Sequence, residues 1–226
     1  MGDVNTLDYA DLKEEDVEEV VAFMAEHFYP REPVSTGLHM TYEDNKEWIH
    51  GSVRDWVKSG VSVVGRDPST GKVAGTLLAT ILTRVQSNTY EQALMSPKTK
   101  VKTLHTVLSV LEAAVDFFSR YEKVDRILEL AMMTVSEEYS GQGVGRRLVQ
   151  ESERQGRRLG CQLATAQATA VPSQRLLYRL GYESLYTMDY ATFEIAGDRV
   201  FDMDKMLGTP SAKVMARLID EDLQEQ

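Results

Sequence analysis

Three glycines at alternate positions, Gly141, Gly143 and Gly145, stand between an apolar run ending at Met133-Thr134-Val135 and a helix pattern opening on Arg146, Arg147 and Leu148. Glycines at this spacing admit dihedral angles closed to other residues and let a ligand come up against the main chain. The first helical turn behind them offers N–H groups with no partner inside the helix and the positive end of its dipole. Strand, glycine loop and helix in this order make a cradle for phosphate.

The spacing narrows the choice of ligand. A dinucleotide fingerprint needs G-x-G-x-x-G and an acidic residue about 20 positions later. In this chain Arg146 occupies the third glycine's place, and the downstream region reads Cys161-Gln162-Leu163-Ala164. A Walker loop needs Gly-Lys-Ser or Gly-Lys-Thr, and neither tripeptide occurs. Nucleotide hydrolysis by that route is excluded. A plain glycine-rich turn between strand and helix is the alternative reading of the segment.

The stretch Ser140-Gly141-Gln142-Gly143-Val144-Gly145 resembles the acyl-coenzyme A loop of the GNAT superfamily of N-acetyltransferases, which runs Gln or Arg, two residues, Gly, one residue, then Gly or Ala. Serine stands in the first position, and Val135 falls where family members carry the aliphatic residue closing the central strand. Downstream, Leu180-Gly181-Tyr182 is similar to the Leu-Gly-Phe phrase that ends the last motif helix in the family. Cys161 to Thr169 reads as a strand, Pro172 suits a first helical turn, and Gly181 suits a helix end. The resemblance implies acetyl-CoA as co-substrate, held at Ser140, Gly141, Gln142, Gly143, Val144, Gly145 and Arg146. Backbone N–H groups near Met133 and Val135 would meet the thioester oxygen. Arg147 is also close enough to the loop to reach phosphate, and one such charge-assisted contact contributes about 1.5 to 3 kcal/mol.

Acyl transfer to an amine needs a base for the amine, donors for the developing oxyanion and a proton for the departing thiolate. The phrase His27-Phe28-Tyr29-Pro30-Arg31-Glu32-Pro33 looks like the aromatic-rich segment ending in Glu-Pro-Leu of insect-type arylalkylamine N-acetyltransferases. The resemblance makes Glu32 the general base; the alternative is an exposed acid in an ordinary turn. The same enzymes carry two hydroxyl residues four apart before the last motif helix, which are Thr169 and Ser173 in this chain. The general acid stays open between Ser173 and Tyr178, because the family's usual tyrosine position is occupied by Leu177. The group implies a small primary amine as acceptor, with Tyr29 to Met40 and the helix through Trp48 and Trp56 lining its side. Polyamine or protein acetylation, or acyl-CoA binding without turnover, are the alternatives.

The elements that must position these residues are read from periodicity. Leu7 to Leu12 reads as a first strand, and Val17, Val20, Val21, Met24 and Phe28 fall at helical spacing behind acidic residues 14–16. A second helix runs from Thr41 to Gly60, and residues 61–65 and 73–82 form a hairpin. Residues 87–100 show little order. Leu104, Val107, Leu108, Leu111, Val115 and Phe118 define one amphipathic helix. In the tail, Val200 to Met203 suits a closing strand and 212–223 has a helix pattern. The expected fold is α/β (α+β), a mixed, mostly antiparallel sheet with splayed central strands flanked by helices. One domain spans 1–226, with its motif core at 124–190.

Composition agrees: 226 residues, 42% hydrophobic and 27% charged, suit an ordinary globular chain. A net charge of −10 argues against nucleic acid and suits cationic substrates. With no apolar run of 18 residues and no signal-like start, a cytoplasmic protein with no membrane span is expected. The four histidines lack ligand spacing, so no metal is expected. Cys161, the single cysteine, is expected to pack in a strand. A monomer is the default.

Overall fold

The computed structural model describes residues 7–84 and 98–220. Its main sheet has seven strands: β1 (Asp8–Asp11), β2 (Val63–Arg66), β3 (Val73–Thr83), β4 (Arg126–Val135), β5 (Leu163–Ala168), β6 (Glu183–Asp189) and β9 (Ser211–Leu218). They run in the order β1-β2-β3-β4-β5-β9-β6, while β7 (Glu194–Ile195) and β8 (Asp198–Arg199) form a separate small hairpin. Neighbours pair antiparallel except β4 and β5, which are parallel. A parallel pair requires a crossover, and α6 (Val144–Arg158) supplies it.

Helices cover both faces. Residues of α6 and α7 (Val171–Arg179) pack with Leu128, Leu130, Ala164 and Ala166. On the other face lie α1 (Val17–His27) and α3 (Tyr42–Lys58), against Val64, Val73 and Leu78. The helices α2 (Pro33–Gly37) and α4 (Thr99–Ala113) pack with Tyr190, Ala212 and Val214. The apolar residues 17–24 form the buried stripe of α1, so the helical period read from the sequence is the one that packs.

The central strands part where the motif begins. Pairing of β4 with β3 extends from Arg126 to Val135, whereas its pairing with β5 stops at Leu130 opposite Ala166. Leu78 faces Met132 and Ala79 faces Leu130, which leaves Ala131 as an extra residue on β4. Such a bulge bends its strand and re-aims the residues beyond it, here 132–135.

Three expectations are corrected. The helix expected over 212–223 is not formed in its described part: Ser211–Leu218 is a strand inserted between β5 and β6, and residues 221–223 lie outside the described residues. Ala212, Val214, Met215, Ala216 and Ile219 satisfy either period, and short apolar runs are decided by what the sheet leaves unpaired. Val200 to Met203 is no closing strand; a 3-10 turn begins at Met203, with the Asp202 side chain accepting from the Asp204 N–H. The amphipathic helix ends at Ala113, and Phe118 belongs to a separate short helix, α5 (Phe117–Arg120), whose Asp116 cap accepts the Ser119 N–H. The expectation of little order over 87–100 lies, up to residue 97, outside the described residues; Thr99 is already helical.

Candidate active site

After β4 a 3-10 turn (Glu137–Tyr139) leads into the glycine loop. Buried Tyr139 donates its hydroxyl to Asp67 Oδ2 at 2.6 Å, pinning the loop to the β2–β3 turn. Hydrogen bonds from Ser69 first, and from Tyr139 next, hold the Asp67 carboxyl down at about 2. Gly141 and Gly143 have φ of 73° and 91°, the left-handed region that side chains rarely adopt. Gly145 is glycine for another reason: a Cβ there would lie 3.2 Å from Leu176 Cδ2, so α6 and α7 meet closely at this point. The first hydrogen bond of α6 reaches from Arg147 N–H back to the Gly143 carbonyl. By helix geometry the N–H groups of Val144, Gly145 and Arg146 therefore have no partner one turn back.

This N-terminus opens on a cavity of about 660 Å³ lying in the gap between β4 and β5. Met133, Val135, Ser140, Gly141, Gly143, Val144, Gly145 and Arg146 line it, and so do Glu32, Thr169 and Ser173. Segments far apart in the chain thus share one space of the size that small ligands occupy.

Glu32 is 7% exposed. It caps α2: Oε1 accepts the Val34 N–H at 3.0 Å and Oε2 the Ser35 N–H at 2.6 Å. Each oxygen keeps a lone pair beyond those bonds, so the carboxylate can still take a proton. Two buried tyrosines flank it. Burial pushes the Tyr29 phenol up to about 12 against the hydrogen bond from Asn45, and the charge of Glu32 adds to the rise. Burial, with Glu32 again contributing, raises Tyr190 as well. The Tyr190 hydroxyl donates to the Thr169 carbonyl at 2.9 Å, which places the β5 end beside Glu32. Ser173 Oγ donates to the Ala170 carbonyl at 2.8 Å, in the first turn of α7.

A phosphate-suited helix end, a slot between parting strands and a buried carboxylate together can hold a thioester and deprotonate a nucleophile. Residues 21–182 match the profile of the Acetyltransferase (GNAT) family. The chain belongs to that family. The acetyltransferase is therefore an acyltransferase enzyme, and acetyl-CoA is the acetyl donor its family uses. Its fold is similar to that of arylalkylamine N-acetyltransferase 2 from Aedes aegypti, at 20% identity and a TM-score of 0.86 over 96% of this chain and 100% of that one. It is similar also to a Drosophila melanogaster polyamine N-acetyltransferase, at 23% identity and 0.81 over 94% and 99%. A mosquito arylalkylamine N-acetyltransferase-like protein matches at 21% and 0.81 over the same shares.

Some expected residues lie elsewhere in the acetyltransferase. Tyr178 is 75% exposed and outside the cavity; its neighbour Leu177, buried, lines the wall. One residue is about 100° around a helix, and that turns the phenol to solvent. Gln142 does not line the cavity either; its side chain donates to the Glu138 carbonyl at 2.7 Å. Arg147 points away, pairing with Glu151 at 2.8 Å and lying over the Tyr9 ring. Trp48 and Trp56 are not on the cavity wall: they pack edge to face, Trp48 also against His105. Cys161 is buried, and burial pushes its thiol up to about 11, which suits packing.

Other residues on or behind the cavity wall had no sequence signal. Arg179 shares the cavity with Arg146, one helix away. Tyr190 reaches Thr169 only because β6 returns beside β9. Arg31 contacts the end of β4. Among the described residues no group of three or more His, Cys, Asp or Glu is placed to hold a metal, and no helix is long and apolar enough to cross a membrane.

Proposed function

We propose that this acetyltransferase moves the acetyl group of acetyl-CoA to the primary amine of a small arylalkylamine, by direct attack in a ternary complex. The observation that carries the reading is the shared cavity: the glycine loop and Glu32 line one space. Ser140, Gly141, Gln142, Gly143, Val144 and Gly145 bind the pyrophosphate through main-chain donors, helped by the Arg146 side chain. N–H groups of Met133 and Val135 meet the thioester oxygen in the slot β5 leaves open. Glu32 takes the amine's proton, directly or through water, a contribution of about 10² to 10⁴ in rate. Thr169 and Ser173 hydroxyls stand near the leaving sulfur, with Ser173 as proton donor once its hydroxyl turns from Ala170. Tyr178, exposed, is set aside. Residues 1–226 act as one catalytic domain with its motifs at 124–190.

His27 and Phe28 on the cavity wall support an aromatic acceptor, as does the fold's likeness to arylalkylamine acetyltransferases. The alternative acceptor is a polyamine, which the fold's likeness to a polyamine N-acetyltransferase supports. The test is coenzyme A release over arylalkylamines, polyamines and peptides, with wild type and Glu32→Gln. Arylalkylamine turnover that collapses in the variant is expected. Because Glu32 also caps α2, Glu32→Gln is preferred to alanine: it keeps one acceptor oxygen, whereas losing the cap costs about 1 kcal/mol. Equal turnover by both proteins removes Glu32 as the base.

A further inference from the structure

Arg31 stands next to Glu32, half-buried on the cavity wall. Among the described residues it takes part in no ion pair. Its guanidinium is spent on carbonyls and a hydroxyl instead. Nε donates to the His27 carbonyl at 2.8 Å, at the end of α1. Nη2 donates to the Val135 carbonyl at 2.6 Å and reaches Thr134 Oγ1 at 3.4 Å. Thr134 Oγ1 itself donates to the His27 carbonyl at 3.1 Å. The result is a closed ring of hydrogen bonds joining the turn that carries Glu32 to the last two residues of β4.

Those residues lie beyond the last pair that β4 makes with β5, so this end of the strand is held from one side only by β3. A planar fork of fixed donors suits two acceptors on different elements better than any flexible chain does. It also ties up the Val135 carbonyl, whose partial negative charge would oppose charge growing on a nearby thioester oxygen. A positive group replaces it there.

We propose that Arg31 is a positioning residue for acetyl transfer: it locks the Glu32 turn to the splayed end of β4 and keeps that edge free of an exposed acceptor. This rests on the function proposed above. Errors of about 1 Å in the placement of reacting groups cost up to about 10²-fold in rate, so the effect belongs in kcat and not in cofactor binding.

The test uses Arg31→Ala and Arg31→Lys in the full chain with the best amine found for wild type. For Arg31→Ala a fall in kcat of about tenfold or more is expected, with acetyl-CoA affinity by calorimetry changed less than about threefold. Arg31→Lys, which can still reach the Val135 carbonyl, should recover part of kcat. Hydrogen–deuterium exchange supplies a readout independent of turnover: residues 29–37 should exchange faster in Arg31→Ala while the α6 amides stay unchanged. Unchanged kcat, or unchanged exchange in that segment, overturns the proposal. So does a uniform loss of kcat, cofactor binding and melting temperature that lysine fails to restore, since that is global destabilisation. A wild type that acetylates no amine in the panel defeats the function reading alone, and the exchange experiment still decides on Arg31.

Discussion

The glycine loop and the Glu32 turn face each other across one cavity, yet they are built in opposite ways. The loop presents main chain. What it needs from its side chains is mostly their absence, at Gly141 and Gly143 for dihedral angle and at Gly145 for room. The turn presents one carboxylate, held in place by two backbone amides, with two buried tyrosines near enough to sense its charge and, next to it in the chain, an arginine anchored to another element. A main-chain site tolerates substitution wherever glycine is not required, whereas a side-chain site concentrates its vulnerability in one residue and its supports.

The strongest test of that contrast is at the carboxylate. Glu32→Gln should lower kcat by about 10² to 10⁴ while calorimetry gives an unchanged dissociation constant for acetyl-CoA. A variant in which affinity falls instead would mean that the turn belongs to the cofactor site. Next in size, Gly145→Val should weaken acetyl-CoA binding at least about tenfold, because the added side chain meets Leu176 at 3.2 Å or less and shifts the helix end. Gly143→Ala should cost about 1 to 2 kcal/mol for the left-handed dihedral, read as a lower melting temperature and looser binding.

A second carboxylate sharpens the comparison. Glu129 sits mid-strand on β4; burial first, and the charge of Glu112 second, push its carboxyl up to about 7. A folded-state value above the unfolded one makes the protonated form the stabilising one. Its contribution is complete below about 4.5 and is lost as pH rises through about 7. Glu129→Gln should therefore match wild type in thermal unfolding at pH 4 and exceed it at pH 8, by about 1 to 2 kcal/mol after allowance for partial exposure. Equal stability at pH 8 would show that Glu129 is solvated. The smallest effects are expected at Ser140→Ala and Tyr178→Phe, within about twofold of wild type in kcat/KM, the first because main-chain donors carry the loop and the second because the phenol faces solvent.

The glycine loop was legible because its requirements are local: a positive φ and an unpaired helix end are properties of a few consecutive residues. The α6 start, the hairpin and the Leu180-Gly181-Tyr182 helix end were readable for the same reason. The tail was not. Residues 212–219 carry apolar side chains compatible with helix or strand, and only an open place between β5 and β6 chose the strand. Trp48 and Trp56 looked like an aromatic acceptor wall because aromatic rings serve cores and pockets alike.

The sequence by itself determined the glycine loop, the helix start behind it and the order of most elements, since those depend on backbone dihedrals, caps and period. Tertiary structure alone decided that Glu32 is buried and capped, that Arg31 grips Val135, that Arg179 and Tyr190 join the site and that Tyr178 leaves it. Each of these depends on which strands part and which helix face turns inward. No stretch of neighbouring residues encodes that, because it is settled by packing between segments distant along the chain.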